Sequence, residues 1–278
     1  MGTDTQIKEM VKEKYSLIAL QSKTENETSC CGVGGCSTVD YTIFSENYSK
    51  LEGYNADADL GLGCGLPTEF ALIKEGDTVV DLGSGAGNDC FVARAITGET
   101  GKVIGIDMTE AMIDKARDNA EKLGFNNVEF RFGEIEKIPI AANRANVVVS
   151  NCVLNLVPNK QKAFSEMFRI IKPNGHFSVS DVVLKGDLPT GVKEASEMYA
   201  GCVSGAMQIE DYLNGLADAG FVNIKVQKDK NIEIPDDIML QYVNQDELTK
   251  YKNSGSAIAS ITVYGEKNDS CCGPDCNC

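Results

Sequence analysis

A glycine-rich stretch that joins a strand pattern to a helix pattern constrains this chain more than any other feature. The stretch is Val79-Val-Asp-Leu-Gly-Ser-Gly-Ala-Gly-Asn-Asp-Cys-Phe91. A β-branched run ends at Asp81, glycines occupy positions 83, 85 and 87, and an apolar helical pattern follows over residues 91–96. Glycine is needed where a turn adopts positive φ or where a ligand approaches the backbone closely. The stretch therefore predicts a nucleotide-binding turn between a strand and a helix.

The spacing of the glycines and a second acidic residue indicate the kind of nucleotide. Asp107 ends the run 102–107, where an acidic side chain can accept hydrogen bonds from ribose hydroxyls. A dinucleotide site needs Gly-x-Gly-x-x-Gly to seat its pyrophosphate, whereas this chain has Asp-x-Gly-x-Gly-x-Gly. That spacing resembles the first motif of class I S-adenosylmethionine-dependent methyltransferases. The turn alone leaves an unrelated α/β turn as an alternative.

Composition excludes several other classes of protein. The 278 residues are 42% apolar and 24% charged, which is typical of a globular protein with one large domain or one domain and an appendage. The 41 acidic residues outnumber the 26 basic ones, so the chain repels phosphate backbones and we expect no nucleic-acid partner. Without a membrane-length apolar run or the hydrophobic region of a signal peptide, we expect a cytoplasmic protein with no membrane partner.

The numbers of cysteines and histidines favour thiol chemistry. Eleven cysteines are many for a cytoplasmic enzyme, where clustered thiols more often bind metals or undergo redox reactions than form structural disulfides. The single histidine, His176, lies in a predicted strand, and we interpret it as a surface residue. A histidine-containing zinc site and a Ser/His/Asp triad are therefore disfavoured.

Alternating strand and helix patterns from residue 71 onward predict a parallel α/β sheet. Strands are expected at 78–81, 103–107, 128–132, 147–150 and 175–181, and helices at 109–123, with Thr109 as its cap, and at 160–171. The patterns at 221–226 and 257–264 predict a last pair of strands, separated by an insert at 228–256. Ligands of such sheets lie beyond the carboxyl ends of the strands, where Asp81, Asp107, Glu134 and Asn151 fall.

Four cysteines have local sequences that distinguish them from the rest. Cys36, Cys64, Cys152 and Cys202 each lie in a loop or beside glycine, and Cys152 directly follows the strand pattern 147–150. The segment 59–67 around Cys64 is rich in turn-forming residues, so we expect flexible backbone there rather than a packed core. Cys90, in a predicted helix, is interpreted as a small buried thiol. The alternative is four unrelated free thiols.

Five stretches of sequence connect these cysteines with the glycine turn. They are Cys30-Cys-Gly-Val-Gly-Gly-Cys36, Leu60-Gly-Leu-Gly-Cys64-Gly-Leu-Pro67, Asp81-Leu-Gly-Ser-Gly-Ala-Gly-Asn-Asp89, Ser150-Asn-Cys152-Val-Leu-Asn-Leu156 and Ala200-Gly-Cys202-Val-Ser-Gly205. Through them the chain resembles the arsenite S-adenosylmethionine methyltransferases nearly from end to end. The glycine turn is shared by all class I methyltransferases, whereas the second and fourth stretches are specific.

This resemblance implies a role for each of the four cysteines. In the family the arsenic(III) ligands correspond to Cys64, Cys152 and Cys202, and a fourth cysteine, matching Cys36, takes part in binding and in thiol–disulfide chemistry with Cys64. Thiolates suit arsenic(III) because it is a soft, thiophilic centre. The implied reaction is attack of the arsenic lone pair on the methyl group of S-adenosylmethionine, which needs no general base. The implied substrate is arsenite or its thiol conjugates, and the implied co-substrate is a thiol reductant, thioredoxin or glutathione, that reopens the disulfide.

The resemblance also implies contacts with the methionine portion, the ribose and the adenine of the cofactor. Asp81 and the turn at Gly83 and Gly85 are expected to contact the methionine portion, and Asp107 is expected to contact the ribose. The adenine is expected to lie against Met108, Glu134 and Ile135, and Asn151 is expected to offer its backbone. Asn146 stands where related methyltransferases commonly begin strand four with Asp, and we expect this difference to affect the reaction little.

Taken together, these patterns predict a Rossmann-like class I methyltransferase sheet with helices on both faces. Four segments are expected: 1–70 with a helix at 4–20 and cysteine-bearing loops, 71–185 as the S-adenosylmethionine-binding domain, 186–270 as the arsenic-site and sheet-completing region, and 271–278 as a cysteine-rich tail. We expect a monomer. The alternatives are a small-molecule C- or O-methyltransferase, acting for example on a quinone, and a non-catalytic metalloid-binding protein.

Overall fold

A mixed β-sheet with helices on both faces forms the centre of the protein. The computed structural model describes residues 4–21, 47–190, 205–232, 236–240 and 242–268. In chain order the strands are β1 (Thr78–Leu82), β2 (Lys102–Asp107), β3 (Val128–Phe132), β4 (Ala145–Asn151), β5 (Ile171–Lys185), β6 (Met207–Gln208), β7 (Val222–Ile232) and β8 (Ala257–Glu266). The strand order across the sheet is β3-β2-β1-β4-β5-β8-β7, and β6 pairs with β5 off that path. The predicted fold class is confirmed.

The helices follow the apolar periodicity of the sequence. They are α1 (Asp4–Ala19), α2 (Pro67–Phe70), α3 (Asn88–Thr97), α4 (Glu110–Lys122), α5 (Lys160–Ile170), α6 (Ile209–Asp218), α7 (Asp236–Met239) and α8 (Gln245–Asn253). Thr109 occupies the predicted N-cap position of α4, but its side chain makes no capping hydrogen bond. Its backbone N–H instead donates to Asp107 Oδ1 at 2.8 Å.

The first five strands are parallel, and β1, β2 and β4 bury side chains on both faces. Because side chains alternate along a strand, Val80 faces α5 and packs with Phe164 and Met167, whereas Val79 packs on the opposite face with Met112 of α4. The carboxyl ends of β1, β2 and β4 then lie side by side, as parallel pairing requires. A third apolar cluster lies near these ends and contains both Cys64 and Cys152.

The sheet closes with the antiparallel pair β7 and β8, as the sequence predicts, but β5 and β7 are longer than expected. β5 begins at residue 171 because the expected turn at 172–175 is a bulge, where the register with β4 shifts and Asn174 has a φ of 62°. The predicted insert begins as strand, since β7 continues to Ile232, and it also contains α8. His176 lies in a strand, as predicted, and is half-buried, and its Nε2 donates to the Ala71 carbonyl at 2.6 Å.

Helix α1 packs against α4 of the main domain, which confirms the expected helix at 4–20 and its packing. Ile18 and Ala19 are buried, and Lys115 Nζ of α4 donates to the Ala19 carbonyl at 2.9 Å. Among the helices of the described residues, none has both the length and the apolar character needed to cross a bilayer.

Candidate active site

A cavity lies where β1, β2 and β4 end, with α1 along one side. Its empty space, including the part open to solvent, is about 1090 Å³. Seven of the eight residues expected to contact the cofactor line it, namely Gly83, Gly85, Asp107, Met108, Glu134, Ile135 and Asn151. Cys152 also lines it, so the cavity borders one of the four singled-out cysteines.

The glycine turn shapes the floor of this cavity. Gly83 has a φ of 71°, and a Cβ there would lie 2.3 Å from Cγ2 of Val153, so no larger residue fits without displacing the loop after β4. The Gly85 N–H donates to Asp107 Oδ2 at 3.0 Å, which holds the turn against the end of β2. The turn and Asp107 are therefore one hydrogen-bonded unit.

The polar lining of the cavity fits a polar ligand. Ser84 Oγ and Asn88 Oδ1 line the cavity as buried atoms without a hydrogen-bond partner among the described residues. Buried polar atoms normally find partners, so a ligand with donors and acceptors suits this turn. Asp107 accepts from the N–H groups of Gly85 and Thr109, and it lines the cavity at the end of β2, where an acidic residue can bind ribose hydroxyls. These residues fit the amino-acid and ribose portions of S-adenosylmethionine.

Asp81 is the expected cofactor residue that does not line the cavity. Its side chain is 2% exposed, and Cys90 Sγ donates to Oδ2 at 3.3 Å. Burial, together with the nearby Asp89 carboxylate, raises the pKa of Asp81 well above its ordinary value. Cys90 is a buried thiol, as expected, but it contacts a carboxyl group rather than only apolar neighbours.

Helix α1 contributes a charged side chain to the cavity. Lys8 lines it and forms an ion pair with Glu134 Oε2 at 2.8 Å and a second with Glu136. The hydrogen bond from Lys8 lowers the pKa of Glu134, so this carboxylate remains ionised. The first helix is therefore joined to the residues that follow β3.

Two of the four singled-out cysteines lie together with an aspartate. One ligand atom each from Cys64, Cys152 and Asp181 lies within 4.8 Å of the other two, and the residues are 1%, 5% and 1% exposed. Burial raises the pKa of Asp181 to about 7. Two sulfur donors and one oxygen donor thus converge beside the cavity.

The segment around Cys64 is packed, which corrects the expected flexible backbone. A Cβ on Gly65 would lie 2.5 Å from Ser180 Oγ, and a Cβ on Gly63 would lie 2.7 Å from Asn151 Nδ2. The Cys64 carbonyl also accepts a hydrogen bond from Ser260 of β8. Glycines flank this cysteine because the backbone lies directly on neighbouring side chains, and not because the segment is loose.

Asn151, at the end of β4, connects the Cys64 segment with the cavity. Its Oδ1 accepts from Cys64 N at 3.0 Å, while its Nδ2 donates to the Gly65 carbonyl at 2.9 Å and also to the Tyr48 hydroxyl. The Tyr48 hydroxyl lies 2.9 Å from Asp89 Oδ2. Burial raises the pKa of Asp89 to about 6 and also raises that of Tyr48. Both groups line the cavity, so a single polar network joins it to Cys64.

Cys152 adopts an unusual backbone conformation. Its φ is 59°, in the left-handed region that non-glycine residues seldom occupy, and its N–H donates to the Ser180 carbonyl at 2.8 Å. A strained backbone of this kind is typical of functional sites, where the position of the side chain matters. Here the turn brings the thiol toward Cys64.

The described residues include only part of the predicted thiol set. Cys36 and Cys202, as well as Cys30, Cys31 and the tail cysteines, lie outside them. The sequence analysis assigned no role to Tyr48, Asp89, Asp181 or Ser260. For Asp181 a signal existed, because it ends the predicted strand 175–181 at the ligand-binding edge of the sheet.

Comparison with known proteins places the site in context. A family model described as a methyltransferase domain matches residues 73–220. An arsenite methyltransferase of Halobacterium salinarum is 43% identical over 247 residues, 83% of this chain and 61% of the relative. An arsenite methyltransferase of Aquipseudomonas alcaligenes is 30% identical over 84% of this chain and 67% of its own length.

A solved structure of an enzyme with the same kind of name also matches this chain. The crystal structure of an arsenic(III) S-adenosylmethionine methyltransferase from Chlamydomonas reinhardtii matches with a TM-score of 0.64 and 32% identity, covering 75% of this chain and 68% of that one. This chain spans less than two thirds of the Halobacterium relative, of which it covers 61%.

Proposed function

This chain belongs to the arsenite methyltransferase family, and from that membership we propose that it transfers methyl groups from S-adenosylmethionine to arsenic(III) held by cysteine thiolates. The observation that carries the proposal is the pair of buried thiols, Cys64 and Cys152, one of which lines the cavity with the cofactor residues. In a cell such a reaction would serve arsenic detoxification.

The cofactor is held by the glycine turn and the residues around it. Of the residues that line the cavity, Gly83, Gly85 and Ser84 would hold the methionine portion, Asp107 the ribose, and Met108 with Glu134 and Ile135 the adenine. S-adenosylmethionine supplies, when bound, an electrophilic methyl group on a positively charged sulfur. Because Cys152 lines the same cavity, arsenic bound to its sulfur lies near that methyl group, and the protein contributes positioning and exclusion of water.

The thiol set is completed by Cys202. Arsenic(III) bonded to three sulfurs is neutral and retains a lone pair, which is the nucleophile of the transfer. The methylated arsenic carries a positive charge, and attack of the Cys36 thiolate on the sulfur of Cys64 returns two electrons to arsenic and forms a Cys36–Cys64 disulfide. A thioredoxin-type dithiol or glutathione then reduces that disulfide, and the cycle can begin again.

The deciding experiment combines the full chain, arsenite, S-adenosylmethionine and a thiol reductant, and it separates the arsenic species by chromatography with mass detection. Methylated arsenicals are expected from the unsubstituted chain, and Cys64→Ser, Cys152→Ser and Cys202→Ser each abolish them. Cys276→Ser, in the cysteine-rich tail, is the matched control and retains the products. Methylation of a quinone instead of arsenic, unaffected by Cys152→Ser, would contradict the proposal.

A further inference from the structure

Asp181 is a buried carboxyl group that the proposed transfer does not use. It lies in β5, is 1% exposed, and has a carboxylate oxygen within 4.8 Å of both Cys64 Sγ and Cys152 Sγ. Burial of a carboxyl group is unfavourable unless its oxygens find partners. The two thiols can bind arsenic without a carboxyl group, so the position of Asp181 beside them suggests a separate function.

The protein leaves part of the hydrogen-bonding capacity of Asp181 unused. Its Oδ1 accepts from the Val182 N–H at 3.0 Å, its Oδ2 lies 3.4 Å from the Tyr212 hydroxyl, and the Asn155 N–H is a third donor to the carboxyl group. A carboxyl group has about four acceptor positions, so a further donor on the side of the thiols can be accommodated. The chemistry of arsenite supplies such a donor.

We propose that Asp181 recognises the arsenic substrate directly by hydrogen-bonding the hydroxyl group that arsenic(III) retains when only Cys64 and Cys152 have bound it. This inference rests on the proposed function, because it assumes that these two thiols bind arsenic. Arsenite carries three hydroxyl groups. Two S–H bonds and two As–O bonds break, two As–S bonds form, two water molecules leave, and one As–OH group remains beside the carboxyl group.

The consequence is a preference for a hydroxyl-bearing arsenical at the two-thiol stage. Methylarsonous acid has two hydroxyl groups and loses both to the same two thiols, so it presents a methyl group and no hydrogen-bond donor at that position. When a third thiol replaces the last hydroxyl of arsenite, one more water leaves and the contact with Asp181 ends. Asp181 therefore acts on the capture of arsenite and not on the fully thiolated species.

The test measures binding of arsenite and of methylarsonous acid by equilibrium dialysis with arsenic detection, in the full chain carrying Cys202→Ser. Arsenic bound by the other thiols is subtracted with a chain that also carries Cys64→Ser and Cys152→Ser. Asp181→Asn is expected to weaken arsenite binding by about tenfold and to leave methylarsonous acid unchanged, because an amide oxygen accepts the hydrogen bond from As–OH less strongly than a carboxyl group and its NH₂ group can face the same donor. Tyr212→Phe, which keeps the carboxyl group, leaves the ratio of the two affinities unchanged.

Equal weakening of both arsenicals, or of neither, would overturn the inference, as would a change in ratio caused by Tyr212→Phe. Asp181→Ser is measured alongside, and binding of S-adenosylhomocysteine identifies which variant retains the fold. If removal of Cys64 and Cys152 leaves arsenic binding intact, the proposed thiol site itself is wrong. If their removal abolishes binding but Asp181→Asn has no selective effect, only the present inference fails.

Discussion

The Asn151 side chain bridges the backbone of Cys64 and that of Gly65. Its Oδ1 accepts from Cys64 N at 3.0 Å, and its Nδ2 donates to the Gly65 carbonyl at 2.9 Å. The residue after Asn151 is Cys152, so one position of β4 sets the location of both thiols relative to each other. Asn151 was expected to act through its backbone, and its amide adds a second, positioning role.

Replacing Asn151 by Ala should uncouple the Cys64 segment from the cavity. We expect kcat/KM for arsenite methylation to fall by about 100-fold, because an error of about 1 Å in the position of a reacting group has effects of this size. Affinity for S-adenosylhomocysteine, measured by calorimetry, should change much less, since the backbone of residue 151 remains.

Asn146→Ala is the matched control at the other end of the same strand. Asn146 Oδ1 also accepts from a backbone N–H, that of Thr78, at 3.0 Å, and it bonds Lys172 as well. This substitution should lower stability without affecting kcat/KM. Equal losses of activity in the two variants would show that the amide of Asn151 has no special relation to the thiols.

Gly65→Ala should damage the thiol site by steric overlap. A Cβ at this position would lie 2.5 Å from Ser180 Oγ, and overpacking of this kind lowers the free energy of unfolding by about 1–3 kcal/mol. Methylation activity should fall together with stability, as followed by urea denaturation and product analysis. Gly124→Ala is the comparison, since Gly124 has a φ of 68° but open space around it, so it should lose stability and retain activity.

Asp89 should make stability depend on pH. Its pKa is about 6 in the fold against an ordinary value of 3.8, so between these values the folded state binds more protons than the unfolded state. Its contribution is fully present below about pH 4 and is lost as the pH rises through about 6. Asp89→Asn removes this dependence. The free energy of unfolding of the variant, relative to that of the unsubstituted chain, should therefore rise by about 3 kcal/mol as the pH increases from about 4 to about 7. Urea denaturation across that pH range measures the free energy of unfolding of both proteins. Parallel pH profiles of the two proteins would contradict the prediction.

Lys8→Ala should loosen α1 and weaken cofactor binding. The Lys8 side chain is 20% exposed and Glu136, one of its two partners, is 7% exposed, so the ion pairs are worth more than fully solvated ones. We expect a loss of about 1–2 kcal/mol in unfolding free energy and a higher Kd for S-adenosylhomocysteine, by calorimetry.

Lys12→Ala provides the control one turn later in the same helix. Lys12 Nζ lies 3.9 Å from Glu134 Oε1, and its side chain is 35% exposed, so its contribution is at most about 0.5 kcal/mol. If both substitutions raise the Kd equally, the effect comes from the general charge of the helix and not from the pairing of Lys8.

The elements around the glycine turn could be predicted because their signals are local. A β-branched run, alternating glycines and a helical apolar pattern occupy adjacent positions. The parallel strands could also be predicted, because each is a short apolar run in the local sequence. The bulge at Asn174 could not be predicted in this way. The Lys-Pro-Asn-Gly sequence favours a turn, and only pairing with β4 and β8 makes it part of a strand.

The surroundings of Cys64 could not be predicted for a different reason. Its flanking glycines are equally typical of a mobile turn and of backbone packed against side chains, and the local sequence does not distinguish the two. The partners that decide are remote: Asn151 is 87 residues away and Ser260 is 196 residues away. Family resemblance identified Cys64 and Cys152, but their proximity to Asp181 required three-dimensional information.

The position of β8 has a consequence for biosynthesis. This strand is the last one of the described chain, yet it lies between β5 and β7 and supplies Ser260, which holds the carbonyl of Cys64. Because a nascent polypeptide folds from its N-terminal end while it leaves the ribosome, β1 to β5 can assemble before β8 has been made. We therefore expect Cys64 and Cys152 to reach their final positions late in translation. A polypeptide that stops before residue 257 contains the residues that line the cofactor cavity, but it lacks Ser260, the hydrogen-bond donor to the Cys64 carbonyl.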